Sequence, residues 1–243
     1  MFEKIVGKIS AILSLVIVWS LVCGFYLSFK GFEYDNNGGF ILKNANASEK
    51  EDIVHEVVPL NFAFPQDHVL GNKNAPITIY EYSSFGCFHC AEFHVEVLPQ
   101  IKEKYVDTNK VKLVFVPLPT DKNSMDAALL AECVGDDKYF EFIDLLFKKQ
   151  RDWTLAFSPL KVLKQYSALS GVDKERAEKC LKNDEVATSI LKDRQDALLM
   201  LKIKGTPSFV ISSKKDNTLV SGYKGFEDFA KLIDEELIKV EKK

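Results

Sequence analysis

Cys87-Phe88-His89-Cys90 sits where a strand-like run gives way to a helix-like one, and that junction constrains the fold more than any other feature. Upstream, Pro76–Tyr82 alternates: Ile77, Ile79 and Glu81 share one side, Thr78, Tyr80 and Tyr82 the other. Downstream, Phe93, Val95, Val97, Leu98 and Ile101 suit the buried side of a helix over Cys90–Tyr105. Val111–Val116 is almost wholly apolar, as a strand covered on both faces should be. Strand, helix and strand make one β-α-β unit with a right-handed crossover.

A thiol in the first turn of a helix meets unpaired N–H groups and the positive end of the helix dipole, and both favour its ionised form. The thiolate is the reactive species, so Cys87 reads as the attacking sulfur. Cys90 lies one turn further in, facing the sheet, and reads as the buried resolving thiol. His89 is placed to bring an imidazole near the Cys87 sulfur. Whatever stabilises the reduced thiolate makes the disulfide more oxidising, by roughly 30 mV for every 1.4 kcal/mol.

The remainder of the chain completes an α/β architecture. Ser48 to Asn74 is a polar lead-in whose apolar stretch, Val57–Phe64, holds one strand. Residues from about 124 to 203 read as four helices, with Ser158-Pro159 starting one and Gly171 and Asp173 marking a stop and a restart. Ser208–Ser212 and Thr218–Ser221 form a hairpin about Lys214–Asn217. Phe226, Phe229, Ile233, Leu237 and Val240 close the chain with an amphipathic helix. The order is β-α-β, a helical insert, then β-β-α.

The first 47 residues read separately from the domain that occupies 48–243. Ile9 to Phe29 carries no charge; Lys4 and Lys8 precede it, and Glu33 and Asp35 follow. That asymmetry keeps the start of the chain in the cytoplasm and sends the rest across the membrane. The run is long enough for a spanning anchor. Ala45-Asn46-Ala47 resembles a signal-peptide cleavage site placed well beyond it. Either outcome puts the domain in the periplasm, tethered or soluble. Val22 stands where lipidation of Cys23 needs a small residue, so Cys23 reads as a membrane-buried thiol.

Export leaves Cys87, Cys90, Cys133 and Cys180 in an oxidising compartment. If the first two are the redox pair, Cys133 and Cys180 are left to each other as a structural disulfide; the alternative is two buried thiols packed as small hydrophobes. Zinc competes for the same residues, since Cys87, Cys90 and His94 have tolerable ligand spacing and His68 or His55 would complete the set. No second paired motif follows and the compartment opposes it, so no metal is expected, and His94 reads as a helix-surface residue. A net charge of -3 without a basic stripe argues against a nucleic-acid partner.

Two polar features stand out. Glu81 interrupts an apolar face six residues ahead of Cys87. Buried there, it would have a raised pKa and would accept or relay the proton of Cys90; otherwise it is exposed at a strand end. Gly205-Thr206-Pro207 precedes the hairpin. Pro207 is either a turn residue or the second half of a cis bond that frees the Thr206 backbone to pair with an extended substrate.

Taken together, Glu81, the Cys87-Phe88-His89-Cys90 motif, Gly205-Thr206-Pro207-Ser208-Phe209 and the helical insert resemble the DsbA-like branch of the thioredoxin superfamily. Val69-Leu70-Gly71-Asn72 and Ala75-Pro76 also match, and the resemblance spans about 54–240. It implies a thioredoxin fold with a helical insertion, a cis Pro207, and a monomeric thiol:disulfide oxidase without bound cofactor. Its clients would be unfolded exported proteins, met at Phe88, Thr206 and Pro207, and a quinone-linked membrane protein would reoxidise it. Phe88 departs from the proline that the family's strongest oxidases carry before the histidine. An isomerase or reductase of the same superfamily and a non-catalytic exported chaperone are the alternatives. Ser48–Asn74 is too short for the dimerisation domain that such isomerases carry.

Overall fold

A computed structural model describes residues 32–34, 40–42, 56–59, 62–66 and 68–241. The chain divides into two units, Met1–Asp52 and Ile53–Lys243. In the first, strands β1 (Phe32–Tyr34) and β2 (Phe40–Leu42) pair antiparallel. The apolar run from Ile9 to Phe29, with Cys23, and the Ala45-Asn46-Ala47 sequence lie outside the described residues, as does His55. Among the described residues no helix is long and apolar enough to cross a membrane.

The second unit is built on strands β3 (Glu56–Val57), β4 (Val69–Leu70), β5 (Ile77–Ser83), β6 (Val111–Pro117), β7 (Ser208–Ser212) and β8 (Asn217–Ser221). They form one sheet in the order β3-β8-β7-β5-β6-β4. The lead-in thus supplies two short strands rather than the expected one. Each pairs with an outer strand and satisfies part of its free backbone, β3 on β8 and β4 on β6. Strand β5 is central, parallel to β6 and antiparallel to β7, and all seven of its residues are buried.

Helix α1 follows the dithiol as four consecutive stretches, Phe88–Glu92, Phe93–Val97, Leu98–Ile101 and Lys102–Val106. The second and fourth have widened turns; the Leu98 N–H, for example, reaches back five residues to the Phe93 carbonyl. Two features of the sequence account for them. Pro99 has no N–H to give the preceding turn. Phe93, Val97, Ile101 and Tyr105, each no more than 2% exposed, recur at four-residue steps. In a regular helix such steps drift by about 40° each, and wider turns hold all four rings and branches on the core. Val95 by contrast faces solvent, 48% exposed, and does not belong to the buried side.

The insert comprises α2 (Lys122–Val134), α3 (Asp136–Lys148), α4 (Gln150–Thr154), α5 (Pro159–Leu169), α6 (Lys174–Cys180) and α7 (Asp184–Leu199). The segment holds six helices where about four were expected; the restart at Asp173 is the start of α6, and α4 is too short to show a period. Gly135 and Gly171 take positive φ at the breaks, and Asp121, Asp173 and Asn183 cap the helices that follow them. Helix α8 (Phe226–Glu241) ends the unit. One sheet face carries Ile77, Ile79, Phe115 and Phe209 against Phe93 and Phe229 and against Phe142, Phe147 and Trp153 of the insert. The other carries Tyr80, Tyr82, Val114, Val116 and Val210 beneath Ala197, Leu201 and Ile203. Both faces of β5 are therefore closed, which leaves its C-terminal end, beyond Ser83, as the open edge of the site.

Candidate active site

The chain leaves β5 at Ser83, turns through Ser84, Phe85 and Gly86, and enters α1 with Cys87 at the N-cap. The Cys87 N–H donates to the Ser84 carbonyl at 3.0 Å, and the Cys87 carbonyl receives the Ala91 N–H at 3.2 Å. Helix α2 crowds this loop: a Cβ on Gly86 would stand 2.7 Å from Ser124 Oγ, which instead accepts the Gly86 N–H at 3.1 Å. Gln150 of α4 reaches in from the other side. Its Nε2 donates to the carbonyls of Phe85 at 2.7 Å and Cys87 at 2.8 Å, although the side chain is almost fully buried.

Cys87 is partly exposed and Cys90 fully buried, both as free thiols. The Cys87 thiol donates to the carbonyl of Thr206 at 3.2 Å, and the Thr206–Pro207 bond is cis. The Thr206-Pro207 turn thus lies directly against the outer sulfur. A hydrogen bond from the Cys90 thiol, above all, lowers the Cys87 pKa to about 5; partial burial opposes it, and the Thr206 side chain and the N–H groups of Cys90 and His89 add to it. Burial pushes Cys90 the other way, well above the thiol range, and the Cys87 thiolate beside it reinforces the rise. The two sulfurs are split into an ionised outer one and a protonated inner one.

The His89 ring is not among the groups that lower Cys87; what it gives is its backbone N–H. The imidazole is exposed and bonded through Nδ1 to Glu92 at 2.7 Å, with Tyr223 behind it. Phe88 is half exposed, under the guanidinium of Arg151 at 5.6 Å, and opens a groove of mixed lining in which Ala91 and Val95 alternate with Glu92, Glu96 and Arg151.

Glu81 is fully buried, on the same face as Ile77 and Ile79. One of its oxygens accepts from the Ser83 hydroxyl and bonds to His94 Nε2 at 3.0 Å. His94 is correspondingly a core residue and not the surface residue its sequence context suggested. It stacks on Phe147 at 4.1 Å, and its Nδ1 meets Asp144 of α3 at 3.2 Å. Burial alone would lower its pKa, but Glu81 and Asp144 reverse this and hold it at about 9. His68 lies elsewhere, stacked on Tyr139 and bonded to Glu132 at 2.9 Å. Among the described residues no three His, Cys, Asp or Glu side chains gather as metal ligands. In the insert, Cys133 of α2 and Cys180 of α6 form a disulfide with Cα atoms 6.1 Å apart, closing a span of 47 residues.

The sequence profile of the family described as Thioredoxin matches residues 64–235. The chain belongs to the thioredoxin family. Within that family its likeness is to the DsbA-like branch. The crystal structure of Wolbachia pipientis alpha-DsbA1 superposes with a TM-score of 0.68 at 32% identity, over 74% of this chain and 96% of that one. A Bacillus anthracis relative, provisionally named disulfide bond formation protein D, is 30% identical over 200 residues, 79% of this chain and 86% of its own. A Rickettsia bellii relative, provisionally named a protein-disulfide oxidoreductase, is 35% identical over 147 residues, 60% of this chain. The chain spans 54 to 66% of the length of the Rickettsia relatives it matches.

Proposed function

We propose that this DsbA-like thioredoxin-family protein is a disulfide oxidoreductase that works as a thiol oxidase on exported proteins. The observation that carries the reading is the split between the sulfurs: Cys87 is held acidic at the tip of α1 while Cys90 is kept protonated beneath it. A stabilised thiolate lowers the energy of the reduced form, so the disulfide is the electron-accepting state. A client thiolate attacks Cys87, the Cys87–Cys90 bond breaks, and a mixed disulfide forms. A second client thiolate then attacks the client sulfur of that bond, leaving the client oxidised and Cys87 as thiolate.

Phe88 and the cis Thr206–Pro207 turn flank Cys87 on two sides and support a role for all three in holding an extended client. Glu81 supports proton traffic at Cys90. His89 enters through its N–H and its tie to Glu92, a weaker role than an imidazole placed against the sulfur. The apolar run from Ile9 to Phe29 supports a periplasmic location, soluble or tethered, and the chemistry calls for an electron-accepting partner such as a quinone-linked membrane protein. Equilibration of the purified protein with glutathione tests the reading. A potential of roughly −120 to −180 mV is the expected result, and one of roughly −270 mV makes the protein a reductase.

A further inference from the structure

When the Cys87–Cys90 bond opens, its electron pair goes to the Cys90 sulfur, which is fully buried among apolar side chains. The sulfur needs one proton, and no water surface adjoins it. The fold offers a continuous path. The Ser83 hydroxyl is within hydrogen-bonding reach of Cys90 and also bonds to Glu81 Oε1. The same Glu81 oxygen meets His94 Nε2 at 3.0 Å, and His94 Nδ1 meets Asp144 Oδ1 at 3.2 Å. Glu81 and His94 side chains are 0% and 1% exposed, whereas Asp144 is 39% exposed. We propose that Ser83, Glu81, His94 and Asp144 form a proton relay linking the buried Cys90 sulfur to solvent on the insert side of the molecule.

The step balances without a further reagent. A client thiolate bonds to Cys87 Sγ, the S–S bond breaks, and Cys90 takes the Ser83 hydroxyl proton as Glu81 returns one to Ser83. His94 resupplies Glu81 from Nε2 and is reprotonated at Nδ1 through Asp144 from water. Reoxidation of the dithiol runs the chain in reverse. Imidazole suits the central place because it gains a proton at one nitrogen while losing one at the other. The titratable groups facing His94 among the described residues are Glu81 from β5 and Asp144 from α3; its other neighbours are the rings of Phe93, Phe115 and Phe147. His94 is held as imidazolium near neutrality, a donor already charged for the first turnover. Ser83 acts next to the sulfur, and Glu81, His94 and Asp144 are positioning residues that act through it.

The inference rests on the redox reading above, and its test separates the two. Oxidised wild type, His94→Gln and Asp144→Asn are reduced by excess glutathione in stopped flow between pH 5 and 9, in water and in heavy water. Both variants are expected to lose at least about fivefold in rate near pH 7, together with the solvent isotope effect and one inflection of the pH profile. The glutathione potential should stay within the oxidase range, since a relay sets rates and leaves the equilibrium in place. Asp144→Asn, at the exposed end, serves if His94→Gln does not fold. Wild-type rates with an unchanged pH profile and isotope effect overturn the relay, whether or not thermal stability falls. A potential in the reductase range overturns the oxidase reading and leaves the relay to be judged by the rates alone.

Discussion

Acidifying the reduced protein should remove the stabilisation that makes its disulfide an oxidant, within a window set by Cys87. The folded pKa of about 5 lies below the ~8.5 of an unfolded cysteine. A folded value below the unfolded one means the thiolate's contribution is complete above ~8.5 and is lost as pH falls through about 5. At pH 7 two units of the difference remain, ~2.7 kcal/mol at ~1.36 kcal/mol each, and partial exposure of Cys87 reduces this to ~2 kcal/mol. The oxidised chain has no thiol at position 87. The reduced-minus-oxidised difference in unfolding free energy therefore cancels groups that do not sense the redox state. It should shrink by ~2 kcal/mol between pH 7 and 4, equivalent to ~40 mV. Urea unfolding of both redox forms across that range measures the difference, and ultraviolet thiolate absorbance gives the Cys87 midpoint directly. A midpoint near ~8.5, or a redox difference flat from pH 4 to 7, refutes the argument that the helix tip and Cys90 hold the thiolate.

Two further outcomes follow from contacts made by the insert. Gln150→Leu removes the donor shared by Phe85 and Cys87; Cys87 keeps the Ala91 N–H, but the Phe85 carbonyl is left buried. Chemical denaturation should show a loss of ~1–3 kcal/mol, with a shifted Cys87 midpoint. Replacing Cys133 and Cys180 together by alanine opens the 47-residue loop. It should cost up to ~4 kcal/mol in thermal or urea unfolding without moving the Cys87 midpoint.

Much of this molecule is written in short-range pattern. The alternation in β5 and the apolar run in β6 follow from burial on two sheet faces, and the placement of Cys87 needs only a strand followed by a helix. Glu81 was visible because it breaks an apolar face. Its partners were not. His94 lies thirteen residues later, on a helix whose turns are not regular, and Asp144 comes from the insert fifty residues beyond that. Nothing in either local sequence marks the meeting. Ser83 carried a fainter sign, sharing a strand face with Glu81 two residues before it. Gln150 carried none, because a glutamine at a helix start reads as solvated until its two carbonyl partners are known. The short strands β3 and β4 were poorly legible for another reason: the one strand expected in the lead-in, at Val57–Phe64, meets β3 only at Val57, because two residues have no period and their pairing is decided by the sheet edges they find.

The widened turns of α1 have a consequence for how this enzyme-like tip is aimed. Cys90 and His94 lie ahead of or within the first widened turn, which ends at Val97, and Ile101 and Tyr105 anchor the shaft behind it. Removing one residue there would restore an ordinary pitch and swing the tip by about 100° relative to the shaft. The azimuth at which the sulfur faces the proline turn is thus set several residues downstream of either cysteine. Redesign of the motif alone, with this hinge-like segment left untouched, alters the chemistry of the tip without altering where it points.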